Sequence, residues 1–208
     1  YEIPADTGET QYYAISGTPV FDKDGNFTGY HGVGRNVTEL KLAEQAIADS
    51  ERRLAQIVDS SLMPTFVIDA EHRVTHWNRA CAAATGVPAS EVLGRKDAWR
   101  GFYPTPRPTM ADVILDGPSG GDMDTYYAGK YAPSQLIEGA YEAEDFFPHL
   151  HGGRWLFFSA APLFDAEGRV NGAIDILQDV TARKEAEQAE RRHWNDLQLA
   201  HTELKQAM

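Results

Sequence analysis

The chain has 208 residues, a formal net charge of −12 and one cysteine, Cys81. So acidic a balance offers no basic face to a nucleic-acid backbone, and one cysteine excludes a disulfide framework or a cysteine-based zinc or iron–sulfur site. No apolar run approaches the roughly 18 residues of a membrane span and no signal peptide opens the sequence. The expected location is therefore cytoplasmic, without membrane contact by this segment, in a parent protein that can itself be anchored.

In chain order, residues 1–36 predict a strand hairpin turning at Asp22-Lys23-Asp24-Gly25. A lone hairpin is marginal in water, so its apolar face needs cover from the next domain or another chain. From Thr38 to about Ser60 the pattern is helical. Ala43, Ile47, Ser50, Leu54 and Ile57 alternate spacings of four and three, as a coiled-coil seam does, with Ser50 the weak position. The alternative is an amphipathic linker packed on its own domain. Residues 62–69 and 73–77 predict a second hairpin, followed by a helix with Asn78 as N-cap and Gly86 as left-handed terminator.

Residues 97–117 hold three prolines and then an amphipathic stretch, 109–115, and residues 117–121 predict a loop. Residues 141–147 predict a strand. Residues 155–164 and 170–180 are two more, joined through Asp165-Ala166-Glu167-Gly168, where Gly168 can supply a positive φ. In the last strand Gly172, Ile174 and Ile176 share one face, and Ala173, Asp175 and Leu177 the other. After Asp179-Val180-Thr181 a charged helix runs to the end, with His193, Leu197, Ala200 and Leu204 as a weaker seam.

Part of this pattern occurs twice. Residues 15–46 align with 158–189 at a constant offset of 143 without a gap. Ser16/Ser159, Pro19/Pro162, Asp22/Asp165, Gly25/Gly168, Gly29/Gly172 and Thr38/Thr181 are among the identical pairs, and Asn36 stands where the second copy has Asp179. A repeat of this kind marks the tail of one module followed by the whole of the next. Strand, D-x-x-G turn, strand, Asp179-Val180-Thr181 and charged helix resemble the C-terminal half of a PAS domain. Phe66-Val67-Ile68-Asp69, the stretch from His72 to Ala80, Gly86, and Glu91-Val92-Leu93-Gly94-Arg95 resemble its first half.

The resemblance implies an α+β fold, a five-stranded antiparallel sheet with helices covering one face and signalling helices at both ends. It divides the chain into a C-terminal hairpin of a preceding PAS domain (1–37), a helical linker (38–60), a PAS domain (61–181) and a signalling helix (182–208). It also implies a pocket between sheet and helices, for which Trp99, Tyr103, Arg107, Met110, Ile114, Tyr127, Tyr131, Phe146 and Phe158 are candidates, with Phe102 beside them and Arg100 as a second nearby cation. An Arg there clamps a ligand carboxylate bidentately. The alternative is that these aromatics fill a core.

The ligand expected is a small organic molecule or a redox signal. Haem, known in the family, needs an axial histidine that residues 109–116 lack. Light-sensing flavin chemistry needs a cysteine motif that Cys81 does not match, although noncovalent flavin needs only an apolar slot. His149 and His151 are weak metal candidates beside Pro148 and Gly152-Gly153, where a turn and solvated rings are expected. Gly120-Gly121-Asp122-Met123-Asp124 resembles a cyclase signature without its Glu-Phe, and reads as loop.

At the exit, Thr181 can cap the helix, while Asp179 can favour its dipole and pair with Arg183. These three residues form the expected relay. No nucleophile–base pair or phosphate loop appears, so the chain reads as a sensor rather than an enzyme. It would form a parallel homodimer and pass a signal to a C-terminal effector such as a histidine kinase or diguanylate cyclase. The alternative is a ligand-free scaffold for dimerisation and protein–protein interaction.

Overall fold

A computed structural model of the chain describes residues 2–4, 10–117 and 121–206, and divides it into two units, Tyr1–Gln56 and Ile57–Met208. In the first unit, β1 (Glu2–Pro4), β2 (Thr10–Phe21) and β3 (Phe27–Asn36) form an antiparallel sheet in that order. Asp22 organises the β2–β3 turn. Its Oδ1 accepts from the amides of Asp24 and Asn26 at 2.9 and 2.8 Å, and Gly25 takes φ 82°. The helix α1 (Thr38–Ser60) buries none of its residues, and Ile47, Leu54 and Ile57 are 61, 60 and 62% exposed. Its apolar stripe is therefore left uncovered by the described residues.

In the second unit, β4 (Thr65–Asp69), β5 (Val74–Trp77), β6 (Tyr131–Pro133), β7 (Tyr141–Phe147), β8 (Arg154–Phe164) and β9 (Val170–Asp179) form one antiparallel sheet in the order β5-β4-β9-β8-β7-β6. The expected five strands become six because the insert before β7 adds β6, a three-residue edge strand. The remaining elements are α2 (Arg79–Thr85), α3 (Ala89–Val92), a 3₁₀ turn (Ala98–Gly101), α4 (Met110–Leu115), α5 (Gly121–Tyr127) and α6 (Thr181–Gln206). The core forms where Phe66, Phe147, Phe158, Ala173 and Leu177 of the sheet meet Cys81, Phe102, Met110, Ile114 and Tyr127.

Capping fixes where several helices begin and end. Asn78 accepts from the Cys81 amide at 2.7 Å, and Gly86 closes α2 at φ 74°. Thr109 and Asp112 form a reciprocal capping box for α4. The loop expected over residues 117–121 is corrected at its end: Gly121 opens α5, because Met123 and Tyr127, one turn apart, are both 1% exposed in the core. Residues 118–120 of that expectation lie outside the described residues.

The repeat is also structural, since β1-β2-β3 reproduces the order and antiparallel pairing of β7-β8-β9. Asp165 holds its turn as Asp22 does, accepting from Glu167 and Arg169 at 3.0 and 2.8 Å. The glycine pair differs in its surroundings. A Cβ on Gly172 would lie 2.5 Å from the Ile68 carbonyl oxygen of β4, whereas a Cβ on Gly29 would meet nothing within 4 Å. Gly172 lets β4 lie against β9; Gly29 has no such neighbour.

Asn78 ties the entry of the second unit together. Its Oδ1 also accepts from the Thr65 amide at 3.0 Å, and its Nδ2 donates to the Val58 and Met63 carbonyls at 3.1 and 2.9 Å. It is 2% exposed, so removing its amide strands several backbone groups away from water. Asn78→Ala is expected to cost about 2–4 kcal/mol in urea unfolding, a large value typical of broken buried networks. Asn78→Asp, which keeps the acceptor but loses both donors, should not restore the stability.

Candidate functional site

The candidate pocket is built from the extended segment after the 3₁₀ turn, from α4 and α5, and from the inner face of β7–β9. Its centre is Arg107. The guanidinium carbon lies 4.0 Å from the Tyr103 ring centroid, 4.9 Å from that of Tyr126 and 5.2 Å from that of Tyr127. A delocalised cation suits the negative faces of these rings. The Tyr103 and Tyr127 hydroxyls meet at 3.3 Å, and burial pushes both phenols above their ordinary range. Arg107 Nη2 donates to the Tyr126 carbonyl at 3.4 Å, but its buried Nε has no hydrogen-bond partner.

Asp175 supplies the second anomaly. It sits on the inner face of β9 at 3% exposure, and its Oδ1 is also without a partner. Burial, reinforced by the nearby charge of Asp112, pushes its carboxyl well above the ordinary range, and a hydrogen bond from the Ala111 amide only partly opposes this. Buried polar atoms are nearly always satisfied, so Arg107 Nε and Asp175 Oδ1 stand out as exceptions.

Of the other expected pocket residues, Met110, Ile114, Tyr127 and Phe158 join Tyr103 in the core cluster, and Tyr131 packs at its edge against Tyr141, donating to Asp124 at 3.0 Å. Phe146 is corrected. Strand alternation turns Phe147 inward and Phe146 outward, where it stacks on Trp155 at 5.5 Å. Trp99 is corrected as well: the 3₁₀ turn buries Ala98 and Gly101, three apart, and leaves Trp99 half-buried outside the cluster. Arg100 pairs with Glu91 at 3.1 Å and takes no part. Sequence reasoning missed Tyr126 and Asp175. Only the alternation along β9 placed Asp175 with Ala173 and Leu177.

Among the described residues no three His, Cys, Asp or Glu side chains gather into a metal-binding group. His149 is exposed on the turn, and His151 Nε2 lies 3.2 Å from the Ala83 carbonyl. The core does not fit a haem ligand from α4, which carries no histidine, and burial pushes the Cys81 thiol far up, the opposite of what a reactive thiolate needs.

The exit joint is more tightly built than the sequence indicated. The Trp155 amide donates to Thr181 Oγ1 at 2.9 Å, and the Thr181 amide donates to Asp179 Oδ1 at 2.9 Å. Thr181 therefore ties β8 to α6 instead of capping the helix with its side chain. The expected Asp179–Arg183 pair is corrected, because the carboxylate turns back to the Thr181 amide. Its cation is Arg154 at 3.8 Å. Burial alone would raise the Asp179 carboxyl, but the Thr181 hydrogen bonds and Arg154 outweigh it and hold it below the ordinary range. Arg183 pairs with Glu144 of β7 and, at 3.0 Å, with Glu187. Lys184 also pairs with Glu144, whose carboxyl is held low by Lys184 and then Arg183. Three strands thus hold the first turn of α6. The first unit repeats the core of this joint: the Tyr12 amide donates to Thr38 Oγ1 and the Thr38 amide to Asn36 Oδ1, both at 2.9 Å.

The buried Asp175 carboxyl gives a pH signature. It keeps its proton in the folded chain at a pH where the unfolded chain has lost it, so stability is full below the ordinary carboxylate range and falls as pH rises through that range and above. Asp175→Asn should flatten this decline and raise the urea midpoint at pH 7–8. An unchanged pH profile would show that Asp175 ionises normally in the folded state.

Comparison with known proteins places these features. Residues 52–98 match a model described as the PAS fold, and residues 1–39 match one described as a PAS domain. The two-component sensor PprA of Pseudomonas aeruginosa is 28% identical over 160 residues, 76% of this chain and 15% of that protein. The probable diguanylate cyclase DgcE of Escherichia coli is 24% identical over 164 residues, 78% of this chain and 13% of that one. Similar solved structures include the PAS domain of Bordetella pertussis BvgS (21% identity, TM-score 0.42, covering 72% of this chain and 97% of that one). Another is an RNA-binding light-oxygen-voltage receptor (20% identity, TM-score 0.47, covering 94% and 47%). The chain spans less than a sixth of each curated relative. Residues 1–39 and 52–98 of this chain are thus each similar to PAS sequences, and the second unit is an α+β fold built on a six-stranded antiparallel sheet.

Proposed function

We propose that the second unit senses a small organic molecule in the Arg107–Tyr103–Tyr127 pocket and relays its presence through the Thr181 joint to α6. An effector beyond the helix, a histidine kinase or diguanylate cyclase, would receive the signal. The observation that carries this reading is the joint itself, built with the same hydrogen bonds at Thr38 and Thr181. A covalent turn alone joins strand to helix loosely, whereas a hydroxyl accepting from a neighbouring strand makes helix position depend on strand position. Ligand contact with Arg107 or Asp175 would bear on α4 and β9, and β9 ends at Asp179. The orphaned Arg107 Nε and Asp175 Oδ1 favour a ligand with both an acceptor and a donor.

The first unit, on this reading, is the C-terminal part of a preceding PAS domain, with α1 as the connecting helix. The exposed stripe Ile47, Leu54 and Ile57 of α1 supports pairing with a second copy. On α6, Trp194 and Leu197 are exposed in the same manner, while the side chains of Ala200 and Leu204 lie outside the described residues. A parallel dimer would present both α6 helices to the effector together. One observation favours the scaffold alternative: Arg107 already stacks 4.0 Å from Tyr103, so the chain's own side chains occupy the centre of the cage.

Native mass spectrometry with an absorbance spectrum separates the two readings. A co-purifying small molecule supports the sensor, and a persistently bare dimer supports the scaffold. Leu54→Asp should convert the dimer to monomer in sedimentation velocity without loss of fold, since Leu54 is exposed in the single chain. A dimer that survives would sink the α1 seam. Thr181→Val should speed hydrogen exchange at the Trp155 amide by at least tenfold, a change that Thr181→Ser should not produce. Equal exchange in all three proteins would remove Thr181 from the relay.

A further inference from the structure

A cavity of about 130 Å³ lies against the exit joint, lined in part by Leu156, Leu177 and Asp179. At roughly 30 Å³ per water-sized group, it has room for about four such groups. Its floor is apolar, formed by Phe102, Leu150, Leu156 and Leu177, all buried. Its rim carries His151, Arg154 and Asp179. An apolar slot with a few charged groups at the mouth is the usual make-up of a small-molecule site.

The rim has two features that a filled surface cleft would not need. Arg154 lies 3.8 Å from Asp179 Oδ2, too far for a hydrogen bond, and no other carboxylate pairs with it among the described residues. Its planar fork of donors is therefore available for bidentate contact. His151 holds φ 43°, a left-handed conformation that among the described non-glycine residues only His72 shares. Such strain persists where surroundings impose it. The Ala83 carbonyl, 3.2 Å from Nε2, can only accept, so Nε2 carries the hydrogen and Nδ1 is left for another partner.

We propose that this cavity binds a short-chain monocarboxylate of about four to six heavy atoms, with its hydrocarbon tail on the leucine floor and its carboxylate clamped by Arg154. The Arg154 fork favours an anion over an amine, which would find only Asp179, already engaged by the Thr181 amide. Binding draws Arg154 away from Asp179, whose other oxygen holds the Thr181 amide. Occupancy is thus felt directly at the start of α6. The site shares no ionic group with the Arg107 cage and does not depend on it.

The test is titration of the isotope-labelled chain with butyrate, followed by amide chemical shifts, with 1-butanol and butylamine as neutral and cationic counterparts. Butyrate should bind saturably and shift the Leu177 and Thr181 amides, at least tenfold more tightly than either counterpart. Arg154→Met, at a side chain 42% exposed, should keep the fold and weaken binding at least tenfold. Arg154→Lys should recover only part of it, because the charge returns without the fork. Equal binding of 1-butanol, unaltered affinity in Arg154→Met, absence of saturable butyrate binding, or shifts centred on Tyr103 and Tyr127 would each overturn the proposal.

Discussion

The hydrogen bond from the Trp155 amide to Thr181 Oγ1 is the constraint on which the junction of β8, β9 and α6 depends. It crosses from strand to helix at the first residue of α6, and it works with the Asp179 bond to the Thr181 amide. Each such bond is worth only about 1 kcal/mol net. Their weight lies in position, because Glu144 adds Arg183 and Lys184 to the same turn. The first turn of α6 is thus held by side chains or backbone of β7, β8 and β9 together.

The repeat clarifies which parts of the joint are essential. Asn36 replaces Asp179 yet accepts the same bond from the following threonine amide at the same 2.9 Å. The shared requirement is an acceptor of that reach. The negative charge belongs to the second copy alone, where Arg154 faces it. The glycines tell a parallel story. Gly172 is required by the Ile68 carbonyl, whereas Gly29, with nothing within 4 Å of where its Cβ would lie, is favoured instead by its φ of 144°.

Much of the fold was legible because local chemistry announced it. Asp22 and Asp165 with their glycines marked the hairpins, Asn78 and Gly86 bounded α2, and residues 141–147 read as the strand that β7 is. Elsewhere tertiary packing overrode the local signal. Gly121 opens a helix because Met123 and Tyr127 gain a core. On β9 the more apolar face, Ile174 and Ile176, is the less buried one. Ala173 and Ala160, fully buried, are small enough to admit α4, and that choice of face carries Asp175 inside. The site was legible as a set of residue types more than as a constellation. Arg107 and its tyrosines came together, but the i,i+4 spacing of Asp179 and Arg183 misled, since Asp179 ends a strand and no helical turn brings the pair together.

The most direct test is a spin-label distance between Asn171, at the start of β9, and Asn195 on α6, both exposed, with Cys81 buried out of reach of the labelling reagent. If Thr181 locks helix to sheet, the unaltered joint gives one narrow distance distribution and Thr181→Val broadens it. The same narrow distribution in both proteins would contradict the account.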